Sequence, residues 1–413
     1  MSYQYEENGT LNSVFFKDSN TTNMATKKYS ASFIISSTLI SIIVLLMLGS
    51  NHSENIASLR SFSKTASMLG DGKQGVMMKS CSDSDYRKRT IKALKDDSFF
   101  SLFSDSKGQK KFEASDVIVV DGHYYSICDS NWSIQKIDSS VTSFSKNNKQ
   151  IGNPSREGEE GDSGYEGIFH IDGIFYLVRE SVNLNDGDDK DNYHSVVEEV
   201  YINEDETDYT IGKQCISEIE FDGKSKGFEG AVGMKSADGT LYIMGLCEGN
   251  FCTEGSKGQT RGNGKVVIMK RKDSLTNLPG GYDCQWQTVR VIDLPKSANF
   301  KDYSAIAINK KGEVAITSQE DSQVWISSLT NYDSNTNTFD PLASEFDDKN
   351  AKVYDFPRDG GCDVVYCNIE GIHWYGEGNK NVLVGVSDKM KSAGKQDYRC
   401  QEKDQSLHFF NLP

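Results

Sequence analysis

Short runs of apolar residues, separated by polar turns, recur along most of the chain and predict β-strands rather than helices. Five stretches share one layout, in which an apolar run, a tight turn and a second apolar run follow one another. Their turns are Asp121-Gly122, Asp172-Gly173, Asp238-Gly239, Lys311-Gly312 and Gly378-Asn379. Because Asp-Gly between two apolar runs is a strong hairpin signal, we predict five β-hairpins.

Outer strands follow most of these hairpins, so each repeat is expected to form a four-stranded antiparallel sheet. The outer runs are 196–202, 215–221, 265–269, 288–294, 323–327, 351–356 and 407–412. Such repeats, with no helical pattern between them, indicate an all-β protein with a β-propeller fold. We predict five blades; six blades and an open two-sheet sandwich are the alternatives. The last repeat lacks one strand, and residues 99–103 are the predicted donor that closes the ring.

The N-terminal region has a different character. Residues 1–29 are polar and predict a disordered tail, whereas residues 30–49 are strongly apolar and uncharged. About 20 helical residues cross a hydrocarbon layer of about 30 Å, so we predict a transmembrane signal anchor over 30–49. Lys27 and Lys28 place the N-terminus in the cytoplasm. The prediction is a single-pass type II membrane protein, with a stalk over 50–74 and the propeller over 75–413 on the extracellular or lumenal side. A cleavable signal peptide is the alternative.

Cysteine usage agrees with export. All nine cysteines follow the apolar segment, where an oxidising secretory compartment permits disulfides. The pairs Cys247/Cys252 and Cys362/Cys367 are each spaced to close a small loop, and the odd total leaves one thiol over. The sequons that such a compartment would glycosylate are headed by Asn51 and Asn131.

The negative net charge of the chain limits the classes of partner that it can bind. The chain has 45 Lys+Arg against 60 Asp+Glu, a net charge of −15, and no Lys/Arg-rich stripe. Binding to nucleic acid or to a membrane surface draws its affinity from clustered basic residues, so we exclude both. The expected membrane contact runs through the apolar helix alone, and the remaining partner is an unknown small molecule or protein.

A propeller would bring the repeats together at one opening, because strand one of each blade starts at the face to which strand two returns. The residues at the starts of strand one are Ser115, Glu166, Glu229, Ser304 and Glu370. The residues at the ends of strand two are Asp129, Glu180, Glu248, Glu320 and Asp388. Eight carboxylates are therefore expected around one channel mouth.

Like charges at such a mouth repel unless a cation neutralises them or some of them hold protons. A hard divalent cation with oxygen ligands is the simplest solution, and Ca²⁺ suits an irregular ring better than Mg²⁺. We predict that the strand-one residues bind this metal and that the strand-two acids, together with Arg179, bind the ligand. Arg179 would either neutralise the mouth or bind an anionic ligand bidentately. Alternatively, each Glu before Gly accepts backbone N–H bonds from the next blade, as a structural latch.

The order Ser, Glu, Glu, Ser, Glu at the blade starts resembles the SdiA-regulated family of exported bacterial β-propellers and, more loosely, the esterase-like phytase propellers. The likeness covers about residues 113–412. It is carried by Tyr165-Glu166-Gly167-Ile168, Val178-Arg179-Glu180, Gly227-Phe228-Glu229-Gly230, Leu241-Tyr242-Ile243, Asp302-Tyr303-Ser304-Ala305 and Glu370-Gly371-Ile372. The first repeat reads Ser115-Asp116 where that family would show Ser-Gly. The resemblance implies the fold and a metal-binding channel mouth, but no established reaction.

Two functions fit these expectations. The first is a membrane-anchored extracytoplasmic binding module with an acidic, Ca²⁺-binding mouth. The alternative is a metal-dependent hydrolase of phosphate esters or lactones, in which Glu166, Glu229 and Glu370 hold a metal that polarises the substrate and activates water. A phosphoesterase usually adds cationic groups for the phosphate, and only Arg179 is expected at the mouth. We therefore favour binding and leave enzymatic activity open.

Overall fold

The computed structural model describes residues 88–159, 161–184, 192–223, 226–247, 260–273, 278–376, 381–391 and 398–413. The predicted tail, membrane span and stalk lie outside these residues, as do Asn51, Glu248 and Cys252. Within the described part of the chain, no helix is long and apolar enough to cross a lipid bilayer.

Tight turns join the strands at four of the five predicted positions, and the fifth, Gly378-Asn379, lies outside the described residues. At Asp121 and Gly122 the φ angles are 49° and 77°, and at Asp172 and Gly173 they are 53° and 82°. Two successive positive φ angles are characteristic of the type I′ turn, whose twist matches the two flanking strands. Asp and Gly tolerate this backbone conformation, which explains why this dipeptide recurs.

The strands form five antiparallel meanders of four strands each within the described residues. The first meander comprises β2 (Ala114–Val120), β3 (His123–Cys128), β4 (Asn131–Ile137) and β5 (Lys149–Ile151). The second comprises β6 (Tyr165–Ile171), β7 (Ile174–Asn183), β8 (Tyr193–Ile202) and β9 (Tyr209–Ser217). The third comprises β10 (Phe228–Ser236), β11 (Leu241–Cys247), β12 (Lys265–Lys272) and β13 (Cys284–Asp293).

The fourth meander comprises β14 (Ala305–Ile308), β15 (Glu313–Ser318), β16 (Gln323–Ser328) and β19 (Lys352–Asp355). The fifth comprises β20 (Ile369–Trp374), β21 (Val382–Ser387), β22 (Ser406–Asn411) and β1 (Lys92–Ser98). A small hairpin, β17 (Tyr332–Asp333) and β18 (Thr338–Phe339), adds to β10. A parallel contact between β9 and β13 joins the second and third meanders into one sheet.

The first strands of the meanders lie side by side in a closed ring. β2 packs against β6, β6 against β10, β10 against β14, and β14 against β20, which returns to β2. Each sheet is built from neighbouring segments of sequence, apart from β1, and the ring order brings the two ends of the described chain together. The described part is therefore an all-β, propeller-like fold, which confirms the all-β, propeller-like part of the prediction.

Buried apolar side chains fill the space between neighbouring meanders. Each of the five core clusters in the described residues draws on two consecutive meanders. Val178 of the second meander and Trp286 of the third share one cluster, and Ala305 of the fourth and Phe410 of the fifth share another. Each sheet thus buries apolar area on both faces, so its stability depends on its neighbours in the ring.

The strand that completes the fifth meander is not the predicted one. The prediction of 99–103 was wrong, because residues Phe99–Leu102 form a helical turn whose Phe99 and Leu102 are buried between the fifth and first meanders. The donor is β1, which pairs antiparallel with β22 from Lys92↔Asn411 to Ser98↔Ser406. The polar composition of β1 hid it from the hydrophobic pattern.

A partly buried polar cluster ties β1 to the rest of the fifth meander. The Asp96 carboxylate accepts hydrogen bonds from Nδ1 of His408 and Nζ of Lys403, both at 2.8 Å. It also accepts one from the Tyr366 hydroxyl at 3.0 Å. Nε2 of His408 lies 3.0 Å from Oγ of Ser387. We call these five residues the clasp.

The order of carboxylate, imidazole and hydroxyl in the clasp is that of a catalytic triad, yet its role here is structural. The Ser387 hydroxyl donates to the backbone oxygen of Lys403 at 2.6 Å, and both Ser387 and His408 are buried. A serine nucleophile needs an accessible hydroxyl whose proton faces the imidazole. Burial alone would raise the pKa of Asp96, but His408 and Lys403 hold it well below its usual range.

Other strand boundaries and the cysteine pairing also differ from expectation. The outer strand predicted at 215–221 is β9, which begins six residues earlier, and both outer strands of the first meander escaped prediction. Two disulfides join described residues, Cys215–Cys284 and Cys367–Cys400. The predicted Cys362/Cys367 pair was therefore wrong. The thiol of Cys128 is free and buried.

Candidate functional site

Backbone irregularities set the strand-one residues apart from their neighbours. Four of the five first strands have a β-bulge at their first residues. The residues at the bulges are Ser115, Glu166, Glu229 and Glu370. A bulge redirects a side chain relative to the regular pleat, and bulges are frequent beside functional sites. The fourth meander has no such bulge, and Ser304 directly precedes β14.

The glycine after each of these glutamates allows adjacent first strands to approach closely. A Cβ on Gly167 would lie 3.1 Å from the backbone nitrogen of Ala231, and one on Gly230 would lie 3.0 Å from that of Ile306. A Cβ on Gly371 would lie 2.6 Å from Cα of Asp116. The Glu-Gly pattern therefore combines a residue at the mouth with a close contact between meanders.

At the other two junctions a polar side chain bridges the strands. Oδ2 of Asp116 accepts the Ile168 N–H at 2.9 Å, and its Oδ1 accepts the Val117 N–H at 2.8 Å. Oγ of Ser304 donates to the Ile369 carbonyl at 3.0 Å. The latch thus exists at Asp116, where the family resemblance would have shown glycine. Neither Glu166 nor Glu370 accepts a hydrogen bond from the described residues.

The structure brings carboxylates from four meanders into electrostatic contact. Burial raises the pKa of Glu166 well above its usual value, and Glu229, Asp129, Glu180 and Glu370 raise it further, in that order. The pKa of Glu370 is raised in the same way, by burial and then by the charges of Asp388, Glu229 and Asp129. We call Asp129, Glu166, Glu180, Glu229, Glu370 and Asp388 the acidic mouth.

The strand-two acids of the first and fifth meanders titrate near neutrality. Burial and then Asp388 and Glu113 raise the pKa of Asp129 to about 7. The pKa of Asp388 is likewise raised to about 7, by burial and by Glu113. Oδ1 of Asp129 is buried without a hydrogen-bond partner in the described structure. At neutral pH these two carboxyl groups are therefore partly protonated.

Sequence reasoning missed three charged residues beside the mouth. Lys111 forms an ion pair with Glu113 and lies 3.9 Å from Asp162, and its charge lowers the pKa values of Asp129 and Asp388. The charge of Lys391 lowers the pKa of Asp388 too. Glu113 directly precedes β2. It lies two residues before Ser115, so a strand-one motif extended by two residues toward the N-terminus would have included it.

The remaining predicted residues occupy different surroundings. Ser115 and Ser304 are buried, each 1% exposed. Cγ of Glu180 would lie 2.7 Å from a Cβ on Gly227, so the side chain packs directly over that glycine. The Glu320 side chain is 57% exposed and lies 3.7 Å from Lys301. It is not among the charges that shift the pKa values in the mouth.

Arg179 lies on a buried aromatic cluster. Its guanidinium is 4.6 Å from the ring centroid of Trp132, and its Nε donates to the Ser163 carbonyl at 3.1 Å. Asn131, which heads the predicted sequon beside Trp132, is only 3% exposed in the folded chain.

Among the described residues, no three Asp, Glu, His or Cys side chains are already arranged as a metal site. The mouth supplies carboxylate oxygens, the ligands that Ca²⁺ prefers. Binding a cation would therefore require the side chains to converge, in exchange for relief of their mutual repulsion.

No family model matches the chain, and no curated protein matches it. Similar solved structures include a glutaminyl cyclase from Myxococcus xanthus, with 9% identity, a TM-score of 0.35, and coverage of 78% of this chain and 96% of that one. Streptogramin B lyase has 12% identity, a TM-score of 0.33, and coverage of 77% and 98%. A luciferin-regenerating enzyme has 8% identity, a TM-score of 0.35, and coverage of 77% and 95%. Similarities this distant transfer no activity to this chain.

Proposed function

We propose that this protein is a binding module in which the acidic mouth of a five-bladed propeller holds a cation, with Ca²⁺ as the candidate. The supporting observation is that carboxylates from meanders far apart in sequence interact: beyond burial, the charges of Glu229 and Glu370 raise the pKa of Glu166, and the charge of Glu229 raises the pKa of Glu370. Carboxylates held this close either bind protons or bind a cation. A cation would replace the protons, so its binding should release protons at neutral pH.

Isothermal titration of the full-length chain with CaCl₂ tests this proposal. Titrations in two buffers of different ionisation enthalpy give the number of protons released. We expect binding with proton release, and a rise in melting temperature that a chelator reverses. Glu229→Gln should weaken binding, whereas Glu320→Gln is the matched control, because its side chain is 57% exposed. Equal affinities in the two variants, or no heat of binding at all, would contradict the proposal.

The membrane anchor is part of the same proposal. It rests on the uncharged apolar residues 30–49, for which extraction by detergent but not by alkaline carbonate is the expected result. Release of the full-length chain by carbonate would argue against a spanning segment.

A hydrolase remains the second candidate, because one observation favours it. Lys111 and Lys391 lie beside Asp129 and Asp388, whose pKa values are about 7. Cationic groups beside carboxyl groups that titrate near neutrality suit general acid-base chemistry on an anionic ester. Turnover of phosphomonoesters or lactones in the presence of Ca²⁺, lost in Glu229→Gln, would establish this reading over simple binding.

A further inference from the structure

We propose that Arg179 and the ring of Trp132 form a binding site for a carboxylate group of a ligand, beside the acidic mouth. This inference goes beyond the cation site and does not depend on it. It rests on the hydrogen bonds that the Arg179 guanidinium makes and on those that it leaves unmade.

The backbone holds Arg179 next to the mouth. Arg179 precedes Glu180 on β7, and Glu180 N donates to the Gly164 carbonyl at 2.7 Å. The neighbouring Ser163 accepts the Arg179 Nε–H through its carbonyl, and its hydroxyl donates to the Asp129 carbonyl at 2.9 Å. The segment 163–164 thus connects Arg179 to two residues of the acidic mouth.

A second arginine, Arg156, packs on the same Trp132 ring, but its guanidinium already has hydrogen-bond partners. The Arg156 guanidinium lies 4.0 Å from the Trp132 ring centroid. It binds Glu198 bidentately, with both N···O distances 2.8 Å, and also donates to the Tyr165 hydroxyl at 2.5 Å. The Glu198 side chain is fully buried and accepts two further hydrogen bonds, from Tyr165 at 2.6 Å and from Gln214 at 2.9 Å. The Glu198 carboxylate is therefore paired with Arg156.

Arg179 has no such partner. Nη1 lies 3.5 Å from Glu159 and 3.9 Å from Glu198, whereas a charge-assisted hydrogen bond measures about 2.7–2.9 Å. Within the described residues the Nε–H is the one guanidinium donor that makes a hydrogen bond. The residue is 9% exposed, so a cation nine-tenths buried retains a pair of Nη groups suited to a bidentate acceptor.

A carboxylate fits better than a phosphate. Both can bind an arginine bidentately, but the carboxylates of the mouth repel a doubly charged phosphate more strongly than a singly charged group. Glu159, whose side chain is 38% exposed, already approaches Nη1 with a carboxylate of the protein itself. A ligand carboxylate would bind the Nη groups of Arg179, and the Glu159 carboxylate would compete with it for Nη1.

Modification by phenylglyoxal, mapped by mass spectrometry on the full-length chain, tests the site. Phenylglyoxal reacts with uncommitted guanidinium groups, and Arg156 is the internal control on the same ring. We expect Arg179 to react at least about tenfold faster than Arg156, because its Nη groups break no bidentate pair. Acetate should slow the reaction of Arg179 and leave that of Arg156 unchanged.

Two variants and one competing anion complete the test. Glu159→Gln should lower the acetate concentration needed for half protection, because it removes the internal competitor. Protection by acetate is measured without divalent cations, so that it is read separately from the cation site, and Glu320→Gln, whose side chain is 57% exposed, should leave this protection unchanged. Equal reactivity of the two arginines, no protection by acetate in either the wild type or Glu159→Gln, or stronger protection by inorganic phosphate than by acetate would each overturn the assignment.

Discussion

Asp96→Asn should loosen the strand that closes the ring. The substitution keeps the shape of the side chain and removes the charge that His408 and Lys403 contact at 2.8 Å. Three of the seven β1 residues are exposed and none is fully buried, so backbone pairing and the clasp are its main attachments. The effect should therefore appear first at β1 and not in the core clusters.

The expected loss is about 2–3 kcal/mol in the free energy of unfolding. Breaking a fully buried ion pair costs about 3–5 kcal/mol, and a hydrogen bond to a charged group contributes about 1.5–3 kcal/mol. The Asp96 side chain is 23% exposed, which places the loss near the lower end. Because the folded pKa of Asp96 lies well below its usual range, this stabilisation is complete above about pH 4 and is lost as the pH falls through the folded pKa.

Urea denaturation gives the loss, and amide exchange across 92–98 locates it. Asp172→Asn is the control: its pair with Lys235 is exposed and should contribute below about 1 kcal/mol. A double-mutant cycle with His408→Gln should show coupling between the two positions. A loss no larger than that of Asp172→Asn, or exchange that rises equally in every sheet, would refute the reasoning.

Three further predictions follow from the ring, the mouth and the free thiol. Gly371→Ala should lower the free energy of unfolding by about 1–3 kcal/mol, because the new Cβ would meet the backbone of Asp116. Gly223→Ala is the control, since its Cβ meets no atom within 4 Å and should leave stability unchanged. Thermal melting compares the two variants. Without divalent cations, stability should fall as the pH rises from about 4 through 7, because Asp129 and Asp388 bind protons more tightly when folded; the double Asn variant should have a flatter pH profile. Cys128, a buried thiol whose pKa is raised by burial, should resist iodoacetamide until urea unfolds the chain, as followed by mass spectrometry; labelling of the native protein would contradict its burial.

The hairpins could be predicted from the sequence because their signal is local. Asp121-Gly122 and Asp172-Gly173 adopt the positive φ angles that the dipeptide indicates. The closing strand could not be predicted, because β1 is polar and is held by partners more than 300 residues away, such as His408. The apolar run at 99–103 misled the prediction, since its side chains are needed in a core cluster.

Of the candidate site, only the residues that the repeats carry could be predicted from the sequence. Glu166, Glu229 and Glu370 share one position in the repeat, and beyond burial the charge of Glu229 raises the pKa values of both Glu166 and Glu370. Lys111 and Lys391 lie outside the hairpins, so no periodic pattern marks them. The clasp combines residues from distant segments, and only the closed ring brings these together.

The pairing of β1 with β22 also determines how the ring responds to mechanical force. Lys92 opposes Asn411, so the two ends of the described chain leave the ring at the same end of one strand pair. Tension between them would peel the pair apart one residue at a time rather than shear all of its hydrogen bonds at once. Separation would begin at Ile91, which is buried and whose N–H donates to the Asp355 carbonyl, and would be resisted at Asp96 opposite His408, where a hydrogen bond to a charged group must break.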